Sequence, residues 1–226
     1  AADTITGTAT DDVIVGAAGD DVIVGGAGDD TITAGTGEDT VTGGTGIDTF
    51  VFATGDSTEA SMTTITDFSI SEFDVLSIDS SVDDEGDVND DAVLSVGSDI
   101  ATGGDAIDVA AASTGEGTDV DAIVTNGIME LEGDDAAEID TLAEWIDAAE
   151  LTLASYEVEV GADEDDVAEY AIAFEFDGST YVISALDAHA NADPNAVTTN
   201  DVIMLEGVTD VAALDLTAAA NTIVIA

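Results

Sequence analysis

Larger apolar residues recur at every ninth position over the first fifty residues: Ile5, Ile14, Ile23, Ile32, Val41 and Phe50. Residues 7–51 divide into five nines, GTATDDVIV, GAAGDDVIV, GGAGDDTIT, AGTGEDTVT and GGTGIDTFV. The leading AADTIT matches the end of an earlier copy. The last three residues of each nine are β-branched or apolar and suit a short strand. The first six are rich in Gly and Asp and suit a tight turn with positive φ values. Strand and turn alternate at fixed length, so the pattern predicts a solenoid. Two nines make one coil with a strand on each side, and residues eighteen apart stack. Asp12 then lies over Asp30, Asp21 over Asp39, and Asp30 over Asp48.

The pattern changes after the repeats. Val75, Leu76 and Ile78 suit further strands that cap the open end of the solenoid, where apolar surface and unpaired edges need cover. Residues 79–91 (DSSVDDEGDVNDD) are dense in acids and predict a solvated linker. Their alternating Asp residues lack the spacing and closing Glu of a helix-flanked calcium loop. From 92 to 226 the pattern predicts a second, mixed β/α domain. AVLSV reads as a strand followed by a short Ala-rich helix, and TNGIMELEG as a strand. Residues 134–156 read as the best helix, capped by Asp134 or Asp135, with Ile139, Leu142, Ile146 and Ala149 on one face. Trp145 borders that face and reads as core packing. Phe174 and Phe176 alternate, Asp177-Gly178 is a tight turn, and Tyr181 and Ile183 return, which predicts a hairpin. NDVIMLEGV and the final NTIVIA complete the strands. The expected fold is mainly β: a parallel β-roll over 1–78, an acidic linker over 79–91, and a β-rich α+β C-terminal domain with one or two helices over 92–226.

Charge alters this picture. The chain has 52 acidic residues, no Lys or Arg, and a formal net charge of −52. Close carboxylates repel and destabilise a compact state, and no side-chain cation is present to offset them. Nucleic acid is excluded as a partner, because phosphate binding requires Lys and Arg. The composition is nonetheless 45% hydrophobic, which disordered acidic chains are not. There is no Cys, so disulfides play no part. The start lacks the basic and apolar regions of a secretory signal, and no apolar run is long enough for membrane insertion. The first residue is Ala rather than Met, which suggests a processed chain or a piece of a longer one. Metal remains as the neutralising agent. Stacked sixth-position carboxylates suit calcium, which takes six to eight oxygen ligands, and glycine turns expose backbone carbonyls to it.

The tandem nines over 1–51 resemble the repeats-in-toxin (RTX) family, whose pattern is G-G-x-G-x-D-x-U-x. The resemblance implies calcium bound between coils by Asp12, Asp21, Asp30, Asp39 and Asp48, with Asp3 from the partial copy. It also implies carbonyl ligands from the turns holding Gly16, Gly19, Gly25, Gly26, Gly28, Gly35, Gly37, Gly43, Gly44 and Gly46. Thr8 and Thr10, Ala17 and Ala34 depart from the pattern. Phe50–Phe52, Ile65–Phe68 and Asp74–Ile78 are similar to segments that follow the last repeat in this family, and Asp67 and Asp74 are placed to complete a calcium site there. Residues 120–216 resemble C-terminal modules of bacterial RTX exoproteins and surface-layer proteins. The acidic, Lys-free tail looks like a type I secretion signal, which implies type I secretion machinery as a partner.

Catalytic patterns are absent from the sequence. His189 is the one histidine and sits in the polar stretch DAHANADPN, a poor zinc site without a second His. There is no Cys nucleophile and no G-x-S-x-G. The expected function is therefore non-enzymatic: an extracellular structural protein, a surface-layer or filament subunit that self-associates with calcium. The alternative is the calcium-triggered folding and type I secretion module of a larger exoenzyme or adhesin. A protein of a high-salt cytoplasm would account for the charge but not for the repeats.

Overall fold

The computed structural model describes residues 1–79, 92–96, 107–108, 120–125, 128–133, 136, 139–156, 167–187, 197–210, 214, 216–219 and 222–225. Through the repeats the chain winds as a parallel solenoid. Strands β2 (Val13–Ala18), β4 (Thr31–Thr36), β6 (Thr49–Ala53) and β8 (Val75–Asp79) lie side by side in one sheet. Strands β1 (Thr4–Thr6), β3 (Val22–Ala27), β5 (Thr40–Thr45) and β7 (Thr63–Ile65) lie side by side in the other. The expected register holds: Val13 pairs with Thr31, Thr31 with Thr49, and Val22 with Thr40. Most strands are longer than the three-residue segments expected. They run from the seventh position of one nine into the third of the next, because glycines such as Gly26 and Gly44 stay in the ladder as partners.

The eighth-position residues turn inward. Ile14, Ile23, Ile32, Val41 and Phe50 are buried in one cluster with Phe52, Ile65, Phe68, Leu76 and Ile78. The solenoid is therefore held by a single row of apolar side chains between two sheets.

Both roll sheets continue into later strands. β15 (Val197–Leu205) pairs in parallel with β7, through Ile203 and Thr63. β14 (Ser179–Asp187) and β13 (Val167–Phe176) follow as antiparallel neighbours. Then come β12 (Ile128–Glu132), β11 (Asp121–Thr125) and β10 (Ile107–Asp108), while β9 (Ala92–Val96) pairs with β13. On the other sheet, β17 (Thr222–Ile225) pairs antiparallel with β8 and carries β16 (Leu216–Ala219) on its outer side. Strands from the two expected domains thus share hydrogen-bonded sheets. The acidic stretch 80–91 and the His189 segment lie outside the described residues; of the expected short Ala-rich helix only Ile107 and Asp108 are described, and they form strand β10 instead, paired with β11.

Among the described residues α1 (Leu142–Tyr156) is the one α-helix. It starts later than the expected 134, and Thr141 caps it instead of Asp134 or Asp135. The cause is a Thr-x-x-Glu capping box. The Thr141 hydroxyl accepts the Glu144 N–H at 3.3 Å, and Glu144 Oε2 accepts the Thr141 N–H at 3.1 Å. Ile146, Ala148 and Ala149 are buried against the sheet. Trp145 stacks on Phe174 at 5.3 Å, and Phe174 stacks on Tyr181 at 5.6 Å. The hairpin forms as expected: Phe174 pairs with Tyr181, and Asp177 and Gly178 take positive φ values of 47° and 79°, the signature of a two-residue primed turn.

Candidate metal centre

The sixth-position aspartates form two ladders, one on each side of the roll. In the first, Asp12 N–H donates to Asp30 Oδ1 at 2.8 Å, Asp30 N–H to Asp48 Oδ1 at 2.9 Å, and Asp48 N–H to Asp74 Oδ1 at 3.0 Å. In the second, Asp3 N–H donates to Asp21 Oδ1 at 2.7 Å and Asp21 N–H to Asp39 Oδ1 at 2.8 Å. Each carboxylate reaches back one coil. Sequence reasoning missed a second set at the fifth position that reaches forward. Asp11 Oδ1 accepts the Asp29 N–H at 3.0 Å, Asp20 Oδ1 the Glu38 N–H at 3.2 Å, and Asp29 Oδ1 the Ile47 N–H at 2.9 Å. The paired acids in the first three nines were the available signal.

The other carboxylate oxygen is the candidate metal ligand. Asp21, Asp30, Asp39 and Asp48 are buried, and the Oδ2 of each has no hydrogen-bond partner. A buried acceptor without a donor costs on the order of 1–3 kcal/mol, and more when charged. The surroundings of each oxygen explain the glycine pattern. A methyl group on Gly25 would lie 2.5 Å from Asp30 Oδ2 and 2.5 Å from the Gly43 carbonyl oxygen. One on Gly16 would lie 2.7 Å from Asp21 Oδ2 and 2.5 Å from the Ala34 oxygen. At Gly16 and Gly25 a carboxylate oxygen and a carbonyl oxygen of the next coil thus converge where a side chain would crowd them, although the fourth nine holds Ala34 at this position. The first-position glycines Gly7, Gly16, Gly25 and Gly43 provide close approach. The second and fourth provide positive φ, as at Gly26 (125°) and Gly28 (111°).

Among the described residues no group of three or more His, Cys, Asp or Glu gathers as a metal cage. A bound ion would therefore draw most of its ligands from carbonyls, and that donor set of hard oxygens fits calcium. Bound there, calcium supplies the positive charge that no side chain of this protein has. The electrostatics agree with this need. Burial first, and then the neighbouring Asp74, Asp30 and Asp67 charges, push Asp48 up to about 6 against the opposing backbone hydrogen bond. Burial likewise raises Asp39 and Asp74, whose hydrogen bonds act in the opposite direction. A cation beside these groups reverses the shift and favours the ionised form.

The ladder ends differ from its middle. At Asp12, the Thr8 N–H and hydroxyl donate to Oδ2 at 2.6 and 2.8 Å, so the Thr8 departure occupies the oxygen left free elsewhere. Asp3 is exposed. Ala34 takes the place of a first-position glycine, and Ala17 holds a positive φ of 82° where later nines have glycine. At the far end, Asp67 accepts the Gly43 and Gly44 N–H groups at 2.8 and 2.9 Å and closes that turn. Asp74 continues the first ladder and accepts the Ser69 N–H at 2.8 Å through Oδ2. The remaining turn glycines, Gly19, Gly35, Gly37 and Gly46, all take positive φ in the same stacked turns.

A parallel β-roll with buried aspartate ladders and glycine turns defines the class as a calcium-binding solenoid. The RTX calcium-binding nonapeptide repeat family matches residues 1–32 and 16–50. Residues 1–50 thus form a β-roll of RTX calcium-binding nonapeptide repeats, and calcium is the ion such repeats bind. No curated protein matches it. Among solved structures it is similar to the solution structure of the AlgE6R3 subunit from the Azotobacter vinelandii mannuronan C5-epimerase. That alignment has 19% identity, covers 92% of this chain and 72% of the other, and has a TM-score of 0.37.

Proposed function

We propose that this chain is an extracellular, calcium-dependent structural protein, a surface-layer or filament subunit that assembles when calcium is present and is exported by type I secretion. The observation that carries the reading is the set of buried, donorless carboxylate oxygens at Asp21, Asp30, Asp39 and Asp48. A chain with a net charge of −52 and no Lys or Arg folds such a roll stably only with a metal ion. Calcium is abundant outside cells, where modules that bind it weakly can be loaded. The ladder carboxylates act as struts between coils, so the reading assigns them no catalytic role.

One observation favours a second reading, a folding and secretion module of a larger protein. β15 pairs with β7 and β17 pairs with β8. Loading the roll would therefore template the C-terminal strands, and folding would be triggered after export.

Sedimentation velocity of the full chain, titrated with calcium and reversed with chelator, separates the readings. Large particles that form with calcium and dissolve in chelator support the structural subunit. A compact monomer replacing an expanded one supports the folding module. A response to potassium chloride and none to calcium overturns both.

A further inference from the structure

We infer that the roll ends in a further calcium site outside the repeats, between Asp39 Oδ2 and Thr63 Oγ1 and closed by Asp56 of the turn 54–62, and that filling it fastens the C-terminal sheet to the roll. The inference rests on calcium binding by the repeats and holds whether the loaded chain assembles or stays monomeric. The second aspartate ladder runs from Asp3 through Asp21 to Asp39 and then meets a different residue. The Thr64 N–H donates to the Asp39 carbonyl at 2.9 Å, as the Thr40 N–H donates to the Asp21 carbonyl at 2.9 Å. Thr64 pairs with Thr40, and Ile65 with Val41. Thr63 therefore occupies the ladder position of the next coil. It is fully buried, and its Oγ1 has no hydrogen-bond partner. One coil back, the Asp39 Oδ2 is also buried and without a partner, so no hydrogen bond joins the two oxygens. The first ladder ends otherwise, on Asp74, whose Oδ2 accepts the Ser69 N–H. A cation between Asp39 and Thr63 satisfies both orphaned oxygens at once.

Twenty-four residues separate the coils here, against eighteen in the repeats, and the extra length forms a turn that holds its own shape. Asp56 Oδ2 accepts the Ala53 N–H at 2.9 Å, and the Asp56 N–H donates to the Ala53 carbonyl at 2.9 Å. The Thr63 N–H donates to Ser57 Oγ at 2.8 Å. Asp56 is half-buried, and its charge reaches Asp39: burial raises Asp39, and the Asp21, Asp20 and Asp56 charges add to the rise. Two carboxylates and a hydroxyl are hard oxygen donors, the kind calcium takes, and a divalent ion balances their charge. The same turn holds the C-terminal half. Asp201 Oδ1 accepts the Gly55 and Ser57 N–H groups at 3.1 Å, and the Val202 N–H donates to the Ser57 carbonyl at 2.7 Å. Calcium that fixes this turn on Asp39 therefore fixes β15 as well.

The test compares the full chain with Thr63→Val, which keeps the shape and removes the hydroxyl, and Asp56→Asn, which keeps an acceptor for the Ala53 N–H. Equilibrium dialysis counts calcium, urea unfolding reads stability, and amide hydrogen exchange reads the two regions separately. In the natural chain calcium should slow exchange at the Asp30, Asp48, Ser57 and Val202 amides. Each variant should bind one calcium ion at least about tenfold more weakly. Each should keep calcium protection at Asp30 and Asp48 and lose it at Ser57 and Val202. Without metal, Thr63→Val should unfold in urea at or above the natural midpoint, because it removes a buried group that has no partner. Thr63→Val decides the matter if Asp56→Asn fails to fold. A Thr63→Val chain that is destabilised without metal makes the hydroxyl a structural group and overturns the site. Variants that bind every ion as the natural chain does, with all four amides protected, overturn it too and leave calcium binding by the repeats standing. A natural chain that gains no protection at Asp30 and Asp48 overturns the calcium reading of the repeats and this inference with it.

Discussion

The roll and the C-terminal sheet bury the same residue type in opposite ways. In the roll, Asp21, Asp30, Asp39 and Asp48 each keep one buried oxygen without a donor. In the C-terminal half, Asp201 is buried with both oxygens engaged. Its Oδ1 accepts the Gly55 and Ser57 N–H groups at 3.1 Å, and its Oδ2 accepts the Ser184 hydroxyl at 3.3 Å. The cores differ too. The roll has a single apolar row, whereas α1 packs Trp145 and Ile146 over Phe174, Tyr181 and Ile183. Hydrogen bonds satisfy the buried carboxylate of one half, two of them from the roll side at Gly55 and Ser57. The other half is an incomplete coordination shell whose stability depends on an ion.

The largest expected effect follows from that contrast. Chelating calcium from the full chain should abolish the β-sheet circular dichroism of the roll, while Trp145 emission stays blue-shifted in its stack on Phe174. A red shift at the same chelator concentration would show that the shared sheets make the two halves one cooperative unit. Next in size, Gly25→Ala places a methyl group between Asp30 Oδ2 and the Gly43 oxygen. It should raise the calcium midpoint about tenfold or more. Thr141→Ala in the C-terminal half should cost about 1 kcal/mol and leave that midpoint unchanged, as a calcium titration would read.

Acid should stabilise the C-terminal half when metal is absent, and in the roll it should partly stand in for the missing ion by protonating the buried ladder carboxylates. Burial raises Asp48 and Asp201 from 3.8 to about 6. A carboxyl group with a folded-state value above its unfolded value contributes stability that is fully present below about pH 4 and lost as pH rises through about 6. The metal-free chain should therefore resist urea better at pH 4.5 than at pH 7, estimates set by those two values. With calcium bound the trend in the roll reverses, because protons compete with the ion for Asp48. Asp201→Asn keeps the backbone acceptor and should remove only the C-terminal share of the metal-free pH dependence. The smallest effect is local. Ala17→Gly relieves a φ of 82° and should add about 0.5–1 kcal/mol to the calcium-loaded roll, measured by thermal or urea unfolding.

Much of the first half was legible because its physics is local and repeated. The nine-residue period, the inward row from Ile14 to Phe50, the sixth-position ladder and the eighteen-residue register all follow from strand and turn alternating at fixed length. The Asp177-Gly178 hairpin was legible for the same reason, since two residues set the turn. Helix α1 was recognised from its apolar spacing but its start was misplaced, because the Thr141–Glu144 capping box outweighed the acids upstream.

By itself the sequence determined that this chain coils, where its carboxylates stack, and that a cation must meet them, because each is decided within one repeat or between identical neighbours. Tertiary structure alone decided the rest. It set the forward reach of Asp11, Asp20 and Asp29, the use of Asp67 to close a turn, the buried post of Asp201, and the continuation of both roll sheets into β15 and β17. These join residues as far as 146 positions apart, as Gly55 and Asp201 are. Apart from the fifth-position set, whose partners lie eighteen residues on, no local period encodes such contacts. They arise only when the end of the roll presents unpaired backbone and apolar surface that later strands must cover.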